Sequence, residues 1–167
     1  MMGCKEEPLP GDKKMTSEIP DDPLAFYLIE SLSDELMYKA LPVDSIKFFG
    51  ERILQYEEII SYDTIYFSFE IERFAVDRIA GINNKYSEWC LPFAVVCKGE
   101  IIFGAYLYHP LSSFFPYWYY STAVRQHQFI IYAPVWTEDP LKTDPRKDPR
   151  IIKVLLADGK IKSSFTD

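Results

Sequence analysis

The chain carries two histidines, and they set the outer limit of its acid-base chemistry. His109 precedes Pro110, which holds its backbone extended, and Ser112 and Ser113 follow three and four residues on. Ser112 or Ser113 with His109 or His127 and an acid would make a hydrolase nucleophile and base, because such triads assemble in space rather than along the chain. No Gly-x-Ser-x-Gly turn is present to expose a serine in the manner of many hydrolases. The competing reading is structural: His109 starts a loop and His127 lies on a partly exposed strand. Glu57-Glu58 and Asp21-Asp22 are poor glycosidase candidates, since that chemistry needs two carboxylates facing across a cleft and neighbouring side chains diverge. They are expected to face solvent. Gly-rich phosphate loops, EF-hand loops and His-rich metal spacings are all missing from the sequence, so no cofactor and no metal is expected.

Cys90 and Cys97 lack a CxxC spacing and companion histidines, which makes them a poor zinc site. Leu91 to Val96 reads as a strand, and seven extended steps of ~3.3 Å would part the two Cα atoms by ~23 Å, against a disulfide limit of ~7 Å. Both are expected to be buried free thiols.

The densest unusual segment is Phe114-Phe115-Pro116-Tyr117-Trp118-Tyr119-Tyr120, six aromatics around one proline. Strand alternation would put Phe115, Tyr117 and Tyr119 on one face, with Trp118 and Tyr120 on the other. Tyr and Trp anchor binding surfaces because they bring large, stiff area with a polar tip. Phe115, Tyr117, Trp118, Tyr119 and Tyr120 are therefore the candidate ligand-binding residues. The alternative is an aromatic lid or a pair of core strands.

Composition narrows the classes. With 48% hydrophobic and 16% aromatic residues the chain is globular rather than disordered, and 167 residues suit one domain. A net charge of -7 argues against phosphate-backbone binding, which needs clustered cations, so no nucleic-acid partner is expected. The charge is uneven: residues 1 to 35 carry nine acids against three lysines, whereas residues 140 to 162 carry seven bases against Asp144, Asp148 and Asp158. The basic run is read as a solvated loop and helix face. No apolar stretch approaches the ~18 to 20 residues of a spanning helix.

Met1-Met2-Gly3-Cys4-Lys5-Glu6-Glu7 resembles the end of a bacterial lipoprotein signal, in which a small residue precedes the lipidated cysteine. Lys5-Glu6-Glu7 is similar to the export signal of Bacteroidetes-type surface lipoproteins. The resemblance covers about five residues and implies lipidation at Cys4, an outer-membrane or cell-surface location, and a chain that starts just inside its signal. Pro8, Pro10, Gly11, Pro20 and Pro23 among acids and lysines make residues 1 to 22 an expected flexible tether.

The elements that would position these groups are legible in part. Leu24 to Ile29 reads as a buried first strand, and Ser33 precedes a capped helical turn, Asp34 to Ala40, that Pro42 stops. Residues 43 to 60 do not choose between helix and strand, although Ile46, Phe48, Phe49, Ile53, Leu54, Ile59 and Ile60 are expected in the core. Ile65 to Ile71 alternates as a strand with its odd positions buried. Phe74, Ala75, Arg78 and Ile79 then fall at helical spacing, with Gly81 as the stop. Lys98-Gly99 between Phe93 to Cys97 and Glu100 to Tyr108 spells a hairpin. Residues 64 to 108 thus resemble half of a ferredoxin-like split βαβ unit. Gln128 to Tyr132 is a further strand ended by Pro134. In the near repeat Asp144-Pro145-Arg146-Lys147-Asp148-Pro149-Arg150, Asp148 can cap and Pro149 can start a helix over 151 to 157, with Gly159 as terminator.

The expected fold is α+β: one domain over 23 to 162, an antiparallel or mixed sheet, the βαβ-like core and a C-terminal helix, with a short tail at 163 to 167. The leading function is a non-enzymatic surface-lipoprotein module that binds a glycan or protein through the aromatic segment. Its rivals are a small hydrolase using Ser112 or Ser113, and a structural subunit whose aromatics are covered by another chain.

Overall fold

The computed structural model describes residues 15–29, 41–85, 90–109, 118–122, 126–134 and 144–162. Cys4 and the rest of residues 1 to 14, the turn expected at 34 to 40 and the tail lie outside the described residues, whereas residues 15 to 22, expected in the flexible tether, are held on the fold: Thr16 exchanges backbone hydrogen bonds of 3.1 and 2.9 Å with Phe49, and the Asp22 carbonyl accepts from Lys98 N at 2.6 Å. The described residues form eight strands: β1 Ala25–Ile29, β2 Phe49–Gln55, β3 Ile59–Asp63, β4 Ser68–Ile71, β5 Cys90–Cys97, β6 Glu100–Tyr108, β7 Tyr120–Ser121 and β8 Gln128–Ile130. Helix α1 spans Arg73–Lys85 and helix α2 spans Pro149–Ala157. The first sheet has the order β2-β1-β5-β6-β7, antiparallel except for the parallel β6–β7 pair, and the second has the order β3-β4-β8, all antiparallel. The fold is α+β with a mixed sheet and a C-terminal helix, as the sequence indicates.

The two sheets share one core. Phe26 of β1 meets Phe69 of β4 and Phe129 of β8 edge-on at 5.2 and 5.6 Å, and Phe93 of β5 lies 6.0 Å from Phe129. Such edge-to-face pairs add to the area they remove from water. Every residue of β5 is buried, which is why Leu91 to Val96 reads as a continuous apolar run instead of an alternating one. The β5–β6 turn has positive φ at both Lys98 and Gly99 (49° and 72°), the geometry whose twist matches a two-residue hairpin. The strand–helix–hairpin order of residues 64 to 108 is present, with β4 in the smaller sheet and the hairpin in the larger one.

Three expectations need correction. Ile65 to Phe67 is a turn and not the start of a strand; β4 begins at Ser68, and Ile65 and Tyr66 are exposed. Gly81 does not stop α1, because Ile82 extends the buried stripe of Ala75 and Ile79 by another turn and its burial favours continuing. Of the apolar residues between 43 and 60, Phe48 and Ile60 face outward while Ile46, Phe49, Ile53, Leu54 and Ile59 are core.

Candidate functional site

The residues proposed for acid-base work are described in part. His127 is exposed in the turn before β8, where Gln126 and His127 both have positive φ (49° and 65°) and its carbonyl accepts from Ile71 N at 2.8 Å. His109 is half-buried at the end of β6, and Ser112 and Ser113 lie outside the described residues. Glu58 corrects the expectation of exposure: it is 1% exposed, takes Arg78 Nη1 on Oε1 at 2.6 Å and Nη2 on Oε2, and accepts Gln55 N at 3.0 Å. It ties α1 to the turn between β2 and β3. Asp22 is engaged too, accepting from the Tyr27 hydroxyl and from Arg52 at 3.1 Å. Cys90 and Cys97 sit at opposite ends of β5, buried and without a disulfide, and burial pushes the Cys97 thiol up from its ordinary value. Among the described residues no cluster of His, Cys, Asp and Glu could hold a metal ion, and no helix is long and apolar enough to cross a membrane.

The aromatic segment divides. Phe115 and Tyr117 lie outside the described residues. Trp118 is 5% exposed and its indole Nε1 donates to Gly104 O at 2.9 Å. Gly104 also permits a close approach by Leu41, since a Cβ there would stand 2.7 Å from Leu41 Cβ. Tyr119 is fully buried, 5.5 Å from the Trp118 ring and 5.9 Å from Phe103. The expectation that Trp118 and Tyr119 present a recognition surface is therefore corrected for these two side chains: β6 offers the indole a buried acceptor, and both rings join the core. Tyr120 differs. It enters β7 half-buried, meets Tyr108 edge-on at 5.9 Å, and stacks on Tyr132 with centroids 5.1 Å apart and planes at 25°. Tyr132 is 37% exposed, and the two residues exchange backbone hydrogen bonds of 3.1 and 2.7 Å that link the two sheets.

Beside this pair stands the β3–β4 turn. Asp63 Oδ1 accepts from Ile65 N at 2.8 Å and Tyr66 N at 3.0 Å, closing the turn without a glycine. Phe67 then takes φ 53°, a left-handed conformation uncommon for a bulky residue and held only where its surroundings demand it. Tyr66 is left 72% exposed. The backbone of Phe67 is fixed by Ile131, whose N-H donates to Phe67 O at 3.1 Å, so the turn abuts the end of β8 that carries Tyr132.

The Phe67 side chain is held by Arg146, whose guanidinium lies 3.6 Å from the ring centroid on one side and 5.5 Å from that of Tyr119. Nε and Nη2 donate to Asp144 at 2.9 and 2.7 Å, Nη1 donates to Ile131 O at 3.0 Å, and the Arg146 carbonyl accepts from Tyr62 OH at 2.9 Å. Burial works against the Asp144 carboxylate, but the hydrogen bonds and charge of Arg146 outweigh it and hold its pKa below the ordinary value. The near repeat is thus one device used twice. Asp144 caps the 3-10 turn Pro145–Lys147 and clamps Arg146; Asp148 caps α2 through Arg150 N at 2.9 Å and clamps the Arg150 side chain.

The resulting surface carries the exposed Tyr66 on its pinned turn and, on the segment bonded to that turn through Ile131, Tyr132 stacked on half-buried Tyr120. It offers apolar faces and phenolic tips, suited to stacking and hydrogen bonding. Of its members, sequence reasoning found Tyr120 alone. Asp63 followed by Thr64 was the available sign of the turn, and Asp144-Pro145 the available sign of the Arg146 clamp. No protein family, curated protein or solved structure matches the chain.

Proposed function

We propose that the protein is a non-enzymatic binding module, carried on the cell surface by a lipid anchor at Cys4, that holds a glycan or protein partner against Tyr66, Tyr120 and Tyr132. The observation that supports this reading is Tyr66, 72% exposed on a turn whose backbone Asp63 and Ile131 fix and whose next residue Arg146 clamps. A tyrosine can remove ~150 to 250 Å² from water, and a rigid one loses little entropy on binding, so its contact area converts efficiently into affinity. The stacked Tyr120 and Tyr132 extend the same kind of surface along β7 and β8. Screening the full chain on a glycan array and a panel of surface proteins, with Tyr66→Ala and Tyr132→Ala alongside, tests the reading. Signals seen with wild type should fall in both variants while their unfolding midpoints hold; signals that persist in both would place binding elsewhere. Metabolic lipid labelling of the precursor tests the anchor, and equal labelling of wild type and Cys4→Ala would remove it.

A further inference from the structure

We infer that the outer face of α2 is a second docking surface, for a segment of a partner protein that carries apolar residues flanked by carboxylates. The helix buries Ile151, Val154 and Leu155 against the core. An ordinary surface helix would then show polar residues to solvent. Here Ile152, half-buried, and Leu156, 64% exposed, stand one turn apart on the outer side and line a shallow depression with Lys147, Pro149, Lys153 and Ala157.

The state of the cations identifies the occupant. Arg146 is held by Asp144, Arg150 by Asp148 and Glu100, Lys162 by Glu70, and Lys160 by the Tyr56 carbonyl and ring. Lys147 and Lys153 border the depression, are exposed, and have no ion-pair partner among the described residues; Lys147 stands 5.5 Å over the Phe67 ring. Lys147 also lends its charge to Asp144, and in a chain of net charge -7 two exposed cations bordering an apolar strip, with no salt bridge among the described residues, make a local field that attracts carboxylates. The same net charge repels a second copy and an anionic bilayer as wholes. Two apolar anchors at i and i+4 spacing suit one face of a short peptide, helical or extended. The small contact area implies weak, micromolar recognition. This surface does not depend on Tyr66, Tyr120 or Tyr132.

The test uses the full chain and a fluorescein-labelled peptide of about twelve residues with leucines spaced i and i+4 and glutamates beside them, and a second peptide with lysines in place of the glutamates. Anisotropy at low salt should show saturable binding of the acidic peptide and little of the basic one. Leu156→Glu should weaken the acidic peptide by about tenfold or more, and the double variant Lys147→Glu/Lys153→Glu should reverse the preference between the two peptides. All three replaced side chains are exposed or border the depression, so unchanged unfolding midpoints confirm that the fold is intact. Equal binding of both peptides by wild type, binding that survives Leu156→Glu, or no saturation at millimolar protein would overturn the inference. So would sedimentation showing a dimer that Leu156→Glu abolishes, or phosphatidylglycerol vesicles bound through Leu156, since either outcome gives the face to a different occupant.

Discussion

Arg146 is the residue whose removal separates a built display of the β3–β4 turn from an incidental one. Arg146→Ala deprives Ile131 O of its Nη1 donor, takes two charged hydrogen bonds from Asp144, and leaves Phe67 without the cation 3.6 Å from its ring. A buried carbonyl left short of a partner costs ~1 to 3 kcal/mol and the lost cation–π contact ~0.5 to 2 kcal/mol. The Arg146 side chain is 11% exposed, so water replaces these bonds poorly, and the sum of ~1.5 to 5 kcal/mol overlaps the ~3 to 5 kcal/mol usual for breaking a buried pair. Arg146→Lys keeps a charge for Asp144 but cannot lie flat on Phe67 and reach Ile131 O together, so it should cost about half as much. The Asp144 linkage has a definite sign. Its folded pKa is depressed, so its contribution is present above the ordinary Asp value of about 3.9 and is lost as pH falls through the lower folded value; Arg146→Ala should shrink that acid limb. Urea unfolding of wild type and both variants across pH 2 to 7 measures all of this, and amide exchange at Tyr66 and Phe67 reports the turn. A loss below about 0.5 kcal/mol for Arg146→Ala, the range of an ordinary surface change, would refute the clamp and with it the rigid presentation of Tyr66.

Asp148→Ala should lower stability by ~0.5 to 2 kcal/mol, because Arg150 N loses its capping acceptor, and unchanged urea midpoint and slope would take the cap out of the account. Glu58→Gln and Arg78→Met should each be costly while the double variant recovers part of the loss, since either single change leaves a charged or polar group stranded beside α1; strictly additive effects would mean the pair is uncoupled. Burial first, then its bond to Asp22, pushes Tyr27 up to about 12, so its contribution to stability is present below the ordinary value near 10 and is lost as pH climbs between the two. Ring-carbon NMR, with Tyr27→Phe for assignment, follows this titration, and a midpoint near 10 would contradict the burial. In a variant with Trp89 and Trp136 replaced by Phe, acrylamide should quench Trp118 weakly; strong quenching would return the indole to the surface.

What the sequence determined was local. Lys98-Gly99 reads as a hairpin turn because two adjacent left-handed residues form it, and Asp148-Pro149 with Gly159 delimits α2 because a cap, a proline and a positive φ act within a few residues. The unbroken apolar run of β5 shows its burial on both faces. Pattern failed where the controlling contact was remote. Ile65 and Phe67 alternate like strand residues, yet Arg146 and Ile131 draw Phe67 into a turn and leave Ile65 and Tyr66 outside. Glu58 looks solvated until α1 brings Arg78 to it, and Trp118 looks like a surface anchor until β6 supplies the Gly104 carbonyl.

The candidate surface follows the same division. Tyr120 is visible as one aromatic among six, but its stack with Tyr132 exists only because β7 and β8 meet at their ends. The outer face of α2 carries Ile152 and Leu156 in plain view of the sequence, while the pairing that leaves Lys147 and Lys153 without a salt bridge among the described residues depends on acids from Glu70 to Asp148. Backbone propensity and capping act over a few residues and can be read from neighbours in the chain. Exposure is what remains after every other element has packed, so which apolar and charged groups stay available to a partner was decided only by the tertiary structure.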